Sequence, residues 1–428
     1  HRAMSEESLN IGLIGCGNVG SGVARILLEN NENLCRRSQK RLVLKSIAVR
    51  DLHKARSFDV PASLFCTDAM AIVEDPDVDL VVDTAREVIQ RALANGKHVV
   101  TSNKEVIAKH VEDFLPLAAE NHVNLYYEAA VAGGIPIVHA LKNSLSANNI
   151  KKLVGIMNGT TNFILSRMYE NRSEFEEVLA EAQELGYAES DPTDDVDGYD
   201  VAYKLAILSS VAFNTRFSYE SIYFEGIRGI GAREIEVARR MGYVIKLVAI
   251  AAEHADGRVE LRVHPVMLQE WHPLAGVTEA YNAGFVEGSY VGETMFYGPG
   301  AGMDPTASAV VGDIMDIAMH RDMRESHPSM NTNFGEKEVF PFGEIECEYY
   351  MRLSVSDRPG VLANIASICG EHSVSLKSVE QHDPREGVAE LILITHQVRE
   401  SSMQKALKAI KQLDSVDAMH ALIRVGIN

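Results

Sequence analysis

Short apolar runs separated by polar, glycine-marked turns set the rhythm of the first third of the chain. Leu9 to Ile14 is one such run, and it ends in Gly15-Cys16-Gly17-Asn18-Val19-Gly20. Ser21 to Leu28 then follows helical spacing, with Val23, Ile26 and Leu27 on the inward side. Leu42 to Val49, Asp79 to Val82 and His98 to Thr101 are further strand-like runs, and Asn124 to Tyr127 continues the series. Helical segments lie between them, among them Glu87 to Asn95, closed by Gly96. Strands alternating with helices predict a parallel, doubly wound α/β sheet of the Rossmann type.

After Gly133-Gly134-Ile135-Pro136 the pattern changes to a mixed α/β region. Lys151 to Met157 reads as a strand, Thr161 to Tyr169, Phe175 to Leu185 and Val201 to Ala212 as helices, and Tyr243 to Ala252 and Arg258 to His264 as strands. Met303 to Met319, rich in Ala and Val, predicts a helix that packs back on the first domain. Arg324 to Glu344 reads as a linker. Beyond it, strands are expected at Tyr349 to Val355, Ser375 to Gln381, Val388 to His396 and Ala418 to Val425, with helices at Val361 to Glu371 and Ser401 to Gln412. That order is βαββαβ, a ferredoxin-like sandwich of its own. The expected domains are 5–136, completed by the helix 303–320, then 137–302 for catalysis and dimerisation, a linker 321–347, and a regulatory domain 348–428.

Composition narrows the function. The 428 residues carry a formal net charge of -19, which argues against a nucleic-acid or anionic-membrane surface. Five scattered cysteines without a CxxC pair indicate reduced thiols, a reducing compartment and a cytoplasmic protein. No run is apolar for long enough to span a bilayer. His1-Arg-Ala-Met4 reads as an expression scar, with the natural start near Met4.

The glycine turn has the context that gives it chemical meaning, because it follows a strand and opens a helix. Gly15 permits the tight turn, Gly17 lets the backbone approach a pyrophosphate, and Gly20 lets helix and strand pack closely. The backbone of Asn18 and Val19 then offers the helix N-terminus to phosphate. At the end of the second strand an acid would favour NAD and a base NADP. Arg50, with Lys54 and Arg56 after it, tilts the expectation toward NADP; a solvated basic turn is the alternative.

A second cluster lies at Glu189-Ser-Asp191-Pro-Thr-Asp194-Asp195-Val-Asp197-Gly-Tyr-Asp200, followed by Lys204. A helix beginning near Asp197 would place Asp197, Asp200 and Lys204 on one face. A lysine held among carboxylates is an oriented proton donor; the alternative is a surface ion pair with an acidic helix cap. Lys104 stands just past a strand's C-terminal end, the edge at which doubly wound sheets bind ligands; the alternative there is a solvated lysine.

Together these segments resemble homoserine dehydrogenase, from about Leu9 to His320. The most specific part is Ala182-x-x-x-Gly186-Tyr-Ala-x-x-Asp191-Pro-x-x-Asp195-Val-x-Gly198-x-Asp200-x-x-x-Lys204, with Gly96-Lys-His-Val-Val-Thr-Ser-Asn-Lys104 and Gly155-Ile-Met-Asn-Gly-Thr-Thr-Asn162 in support. Tyr349 to Val425 is similar to an ACT domain, a small-molecule sensing module. The resemblance implies interconversion of L-aspartate 4-semialdehyde and L-homoserine with NADP or NAD. It implies Lys204 as proton donor, Asp195 and Asp200 orienting it and the substrate, Glu189 on the substrate ammonium, and Lys104 between substrate and cofactor. Gly186 and Gly302 would touch the cofactor. Glu128, Val131, Gly133 and Ile135 would form a loop for a monovalent cation, sodium being suited to oxygen ligands. Threonine is the expected effector at the ACT turn Asp357-Arg-Pro-Gly360, in a homodimer or homotetramer. No kinase segment precedes the dehydrogenase region, so a single activity is expected. In one place the chain departs from the family: it runs from Asp83-Thr-Ala85 straight into the Arg86-Glu87 helix, where a glycine-containing loop is usual.

Overall fold

The structure, a computed structural model, describes residues 7–54, 58–320, 335–385 and 387–427. Met4, Arg56 and residues 321–334 of the expected linker lie outside the described residues. The chain divides into two compact units, residues 1–153, 203–220 and 282–336, and residues 154–202, 221–281 and 337–428.

The first unit is built on a six-stranded parallel sheet. Its strands are β1 (Ser8–Ile14), β2 (Arg41–Ala48), β3 (Phe65–Cys66), β4 (Leu80–Val82), β5 (His98–Val100) and β6 (Leu125–Tyr126), in the order β3-β2-β1-β4-β5-β6. This is the order of a dinucleotide-binding sheet, with its reversal beside β1. Leu9, Ile11, Val81 and Val99 are fully buried, as expected of central strands covered on both faces. The two-residue β3 is too short to leave a periodic signal in the sequence. Helix Asn18–Glu29 buries Val23, Ala24 and Leu27, while Ile26 is only half-buried. Helix Met303–His320 returns to pack on it, as the Ala- and Val-rich pattern predicts.

In the second unit, strands Tyr243–Glu253 and Val259–Gln269 pair antiparallel along their whole length. Helices Gly159–Asn171 and Ala232–Arg240 pack on the former. Strands Glu346–Ser356, Leu376–Arg385, Val388–Thr395 and Val416–Val425 alternate with helices Val361–Glu371 and Glu400–Ile410 in the expected βαββαβ order. Tyr349, Met351, Leu353 and Val355 point alternately into its core with Ile365, Leu393, Met403 and Leu407. This subdomain does not stand alone. Its last strand pairs antiparallel with Glu346–Ser356 and also parallel with Val259–Gln269, matching Val266 to Arg424 and Met267 to Val425. Arg424, almost fully buried, joins the two parts through Glu400 (Nη2 to Oε1, 2.9 Å) and Glu225 (Nη1 to Oε1, 2.9 Å).

Candidate active site and nucleotide cavity

The glycine turn folds as its sequence requires. Gly15 has φ of +90°, a conformation that an L side chain rarely adopts, and its amide donates to Ala48 O at 2.9 Å. A Cβ on Gly20 would sit 2.2 Å from Gly15 O, whereas one on Gly17 would project into open space. Helix Asn18–Glu29 therefore starts against the turn with its first amides exposed to a ligand. A cavity of about 510 Å³ opens there, lined by Gly15, Gly17, Arg50, Lys54, Asp83 and Ala85 among others. A glycine edge, amides at a helix start and two cations at the far rim fit a dinucleotide phosphate chain and an adenosine ribose. Gly302, with φ of +121°, is not among the lining residues; it immediately precedes helix Met303–His320.

The short connection after β4 is closed by its own aspartate. Asp83 accepts from the amides of Thr84 and of Ala85, the latter at 3.1 Å, and helix Arg86–Ala94 starts at once. Only 3% of Asp83 is exposed, and burial pushes its carboxyl up to about 6 against the pull of those two amides. One of its oxygens, Oδ2, is buried with no hydrogen-bond partner. Lys104 is half-buried at the first position of helix Lys104–Glu120, where Asn103 caps the helix by accepting from Glu105 and Val106, both at 3.1 Å.

The sequence's four candidate cation ligands are all buried. Glu128 is 3% exposed, and Val131, Gly133 and Ile135 are buried with it. Gly133 has φ of +53°, and a Cβ there would lie 2.6 Å from the carbonyl of Gly300, so the loop is pressed against 300–301. Glu128 accepts from the amides of Val138 (3.0 Å) and His139 (2.7 Å). Burial, and then the neighbouring Asp313 carboxylate, raise its carboxyl above the usual range. Asp313, from helix Met303–His320, accepts from His139 Nε2 at 2.9 Å and from the Glu128 amide at 3.0 Å. Glu128 supplies carboxylate oxygens of the kind a hard cation takes, while among the described residues no group of three or more His, Cys, Asp or Glu side chains is placed to hold a metal ion.

In the second unit the acidic segment breaks into a short helix, Thr193–Val196, and the start of helix Tyr199–Ala212. The second helix begins at Tyr199, two residues beyond Asp197; Asp197 itself closes the short helix and pairs with Arg228 at 2.7 Å. Asp195 and Asp200 are brought together. Asn158 Nδ2 donates to Asp195 Oδ1 at 2.7 Å and to Asp200 Oδ2 at 2.9 Å. Asp200 is 2% exposed and Lys204, one turn further along the same helix, 9% exposed, so neither is a solvated surface group. Glu189 is exposed on the loop after Gly186, whose φ is +78°; Gln183 Nε2 tethers that loop through Glu189 O at 2.9 Å. Tyr187 O accepts from Thr160 Oγ1 at 2.5 Å, which ties the loop to helix Gly159–Asn171. Asn158 lies in the segment Gly155 to Asn162, and no local spacing along the chain relates it to Asp195 or Asp200.

Residues 136–315 match the family model for homoserine dehydrogenase, 15–128 that for the homoserine dehydrogenase NAD-binding domain, and 349–415 that for the ACT domain. The homoserine dehydrogenase of Synechocystis sp. is 42% identical over 434 residues, covering 98% of this chain and 99% of that protein. A crystal structure of a homoserine dehydrogenase from Thiobacillus denitrificans superposes with a TM-score of 0.92 at 39% identity, covering 98% of each chain. A hyperthermophilic archaeal homoserine dehydrogenase solved in complex with NADPH is 29% identical with a TM-score of 0.61, covering 73% of this chain and 98% of that one. With a dinucleotide sheet, a paired-carboxylate turn beside a buried lysine, and a C-terminal ACT domain all in place, the chain belongs to the homoserine dehydrogenase family of NAD(P)-dependent oxidoreductases.

Proposed function

We propose that the protein reduces L-aspartate 4-semialdehyde to L-homoserine, reversibly, with NADPH as the preferred reductant. When bound, the reduced nicotinamide supplies the hydride. Negative charge then develops on the aldehyde oxygen, and the Lys204 ammonium stabilises it and transfers a proton to it. Asp195 and Asp200 orient that ammonium and the substrate, and Glu189 takes the substrate's own ammonium. Lys104 would contribute to binding substrate and cofactor, and Gly186 and Gly302 to binding the cofactor. Arg50 and Lys54, on the rim of the glycine-turn cavity, suit a ribose 2′-phosphate. Glu128 with the carbonyls of Val131, Gly133 and Ile135 would hold a monovalent cation, sodium by preference.

The observation that carries the reading is the meeting of Asp195 and Asp200 at one donor, one helical turn before a lysine that is 9% exposed. The test is Lys204→Ala. NADPH binding, followed by fluorescence, stays as in the parent, while semialdehyde reduction falls by about 1,000-fold or more. Near-normal turnover would refute the assignment.

Regulation belongs to the same proposal. A cavity of about 330 Å³ is lined by Val355 to Leu362 with Gln381 and Leu391, at the first strand-to-helix turn of the ACT domain. An amino-acid end product, threonine by expectation, binds there in a homodimeric or homotetrameric cytoplasmic enzyme. Calorimetry with threonine and initial rates at fixed substrate decide it; no heat and no inhibition would remove the sensing role.

A further inference from the structure

Two carboxylates drawn to one point repel each other unless something between them donates. Asp195 and Asp200 come from consecutive helices, and both accept from Asn158 Nδ2. An amide nitrogen has two hydrogens, so each carboxylate takes one and the donor is fully used. The orientation of the amide is not arbitrary. Its Oδ1 accepts from the Thr161 amide at 2.8 Å and from Thr161 Oγ1 at 2.9 Å, which fixes the nitrogen on the carboxylate side. Asn158 is thereby also the N-cap of helix Gly159–Asn171, and it is 5% exposed.

That helix is itself pinned from behind. Asn162 Nδ2 donates to the carbonyls of Val277 (3.1 Å), Glu279 (2.9 Å) and Tyr281 (3.3 Å). Its Oδ1 accepts from Lys246 Nζ at 3.1 Å, and the same ammonium reaches Val277 O at 2.6 Å and Ser166 Oγ at 3.4 Å. Lys246 and Asn162 are 1% and 2% exposed, so these bonds are shielded from water. Asn158 thus presents its donors from a support with little freedom to shift.

We infer that Asn158 is a positioning residue for the reaction, a neutral clamp that sets the separation and aim of the Asp195 and Asp200 carboxylates without cancelling their charge. A cation in its place would hold them equally well but neutralise the field that orients Lys204 and the substrate. An apolar residue would leave two carboxylates, Asp200 buried and Asp195 half-buried, facing each other. This rests on the reading above that Asp195 and Asp200 serve the reaction.

The test compares four variants of the full chain: Asn158→Ala, Asn158→Ser, Asp195→Ala, and the double variant Asn158→Ala with Asp195→Ala. Serine keeps a helix N-cap, and therefore folding, but its single hydroxyl hydrogen cannot serve both carboxylates. Both position-158 variants are expected to lose turnover by about 100-fold with NADPH dissociation constants within about twofold of the parent. The acid limb of the kcat/KM profile moves to higher pH, because a carboxylate without its donor holds a proton more strongly. The double variant falls no more than about threefold below Asp195→Ala alone, since the clamp then has less to separate. Parent-like turnover in Asn158→Ser, an unmoved acid limb, or additive losses in the double variant would overturn the clamp. Parent-like turnover in Asp195→Ala would instead sink the underlying assignment of the carboxylates.

Discussion

Arg233, on helix Ala232–Arg240, grips Glu390 of the ACT domain from two nitrogens, Nη2 to Oε1 at 2.5 Å and Nε to Oε2 at 3.2 Å. Arg352 on the adjacent ACT strand reaches the same carboxylate at 3.3 Å and pairs with the buried Glu234. Glu234 in turn accepts from the Gly231 amide at 3.1 Å, so the network ends in the helix start itself. Glu390 stands beside Leu391, which lines the ACT cavity. Just before that helix, Ile227 donates to Val196 O at 2.8 Å, in the turn that carries Asp195. The ACT cavity and the carboxylate turn belong to one unit, in which these ion pairs tie the ACT strands to helix Ala232–Arg240.

Glu390→Gln is expected to loosen that joint. Burial alone would raise the Glu390 carboxyl, yet Arg233 and then Arg352 hold it below the usual range. Its ion-pair contribution is complete above the free carboxylate range and lost as pH falls through the lowered value. The variant should lose about 1 kcal/mol of stability at pH 7, and inhibition by threonine should weaken by about fivefold or more while uninhibited turnover stays within about twofold. Calorimetric melting and inhibition curves check both. Unchanged inhibition would show that this network docks the ACT domain without transmitting its state.

Arg50→Glu should exchange one cofactor preference for the other. Arg50 and Lys54 both line the nucleotide cavity, and either suits a 2′-phosphate. KM for NADPH is expected to rise by about tenfold or more, with KM for NADH unchanged or lower. Paired initial-rate measurements with the two nucleotides suffice, and an unchanged ratio would mean that Arg50 does not read the phosphate.

Asp83→Asn should stabilise the cofactor-free protein, and by an amount that depends on pH. The folded carboxyl titrates at about 6 against an ordinary value of 3.8, so the folded state binds more protons than the unfolded one between those values. The parent therefore loses stability as pH rises through that window, and the penalty is fully present above about 6. The variant's advantage should be small at pH 4 and reach about 1 kcal/mol at pH 7. A melting difference that is the same at both pH values would contradict a buried carboxyl whose titration is raised.

Much of the architecture is legible in the sequence because it is local. A strand, a glycine turn and a helix start are set by apolar periodicity and by the one residue that tolerates φ of +90° at position 15. The βαββαβ order of the ACT domain is written in alternation at Cys347, Tyr349, Met351, Leu353 and Val355. Local spacing does not foresee the pairing at Asp197, which closes a separate short helix and meets Arg228. It fails at the C-terminus, where a self-contained sandwich was the natural expectation and the last strand instead continues the neighbouring sheet.

By itself, then, the sequence determined the order of the elements and the nucleotide turn, since those follow from periodicity and glycine conformation. Only the tertiary structure decided which groups meet. Asn158 lies 37 and 42 residues from the two carboxylates it joins, and Arg233 lies 157 from Glu390. Contacts at such separations depend on how whole helices and strands pack, and no pattern along the chain encodes the direction of a single amide hydrogen.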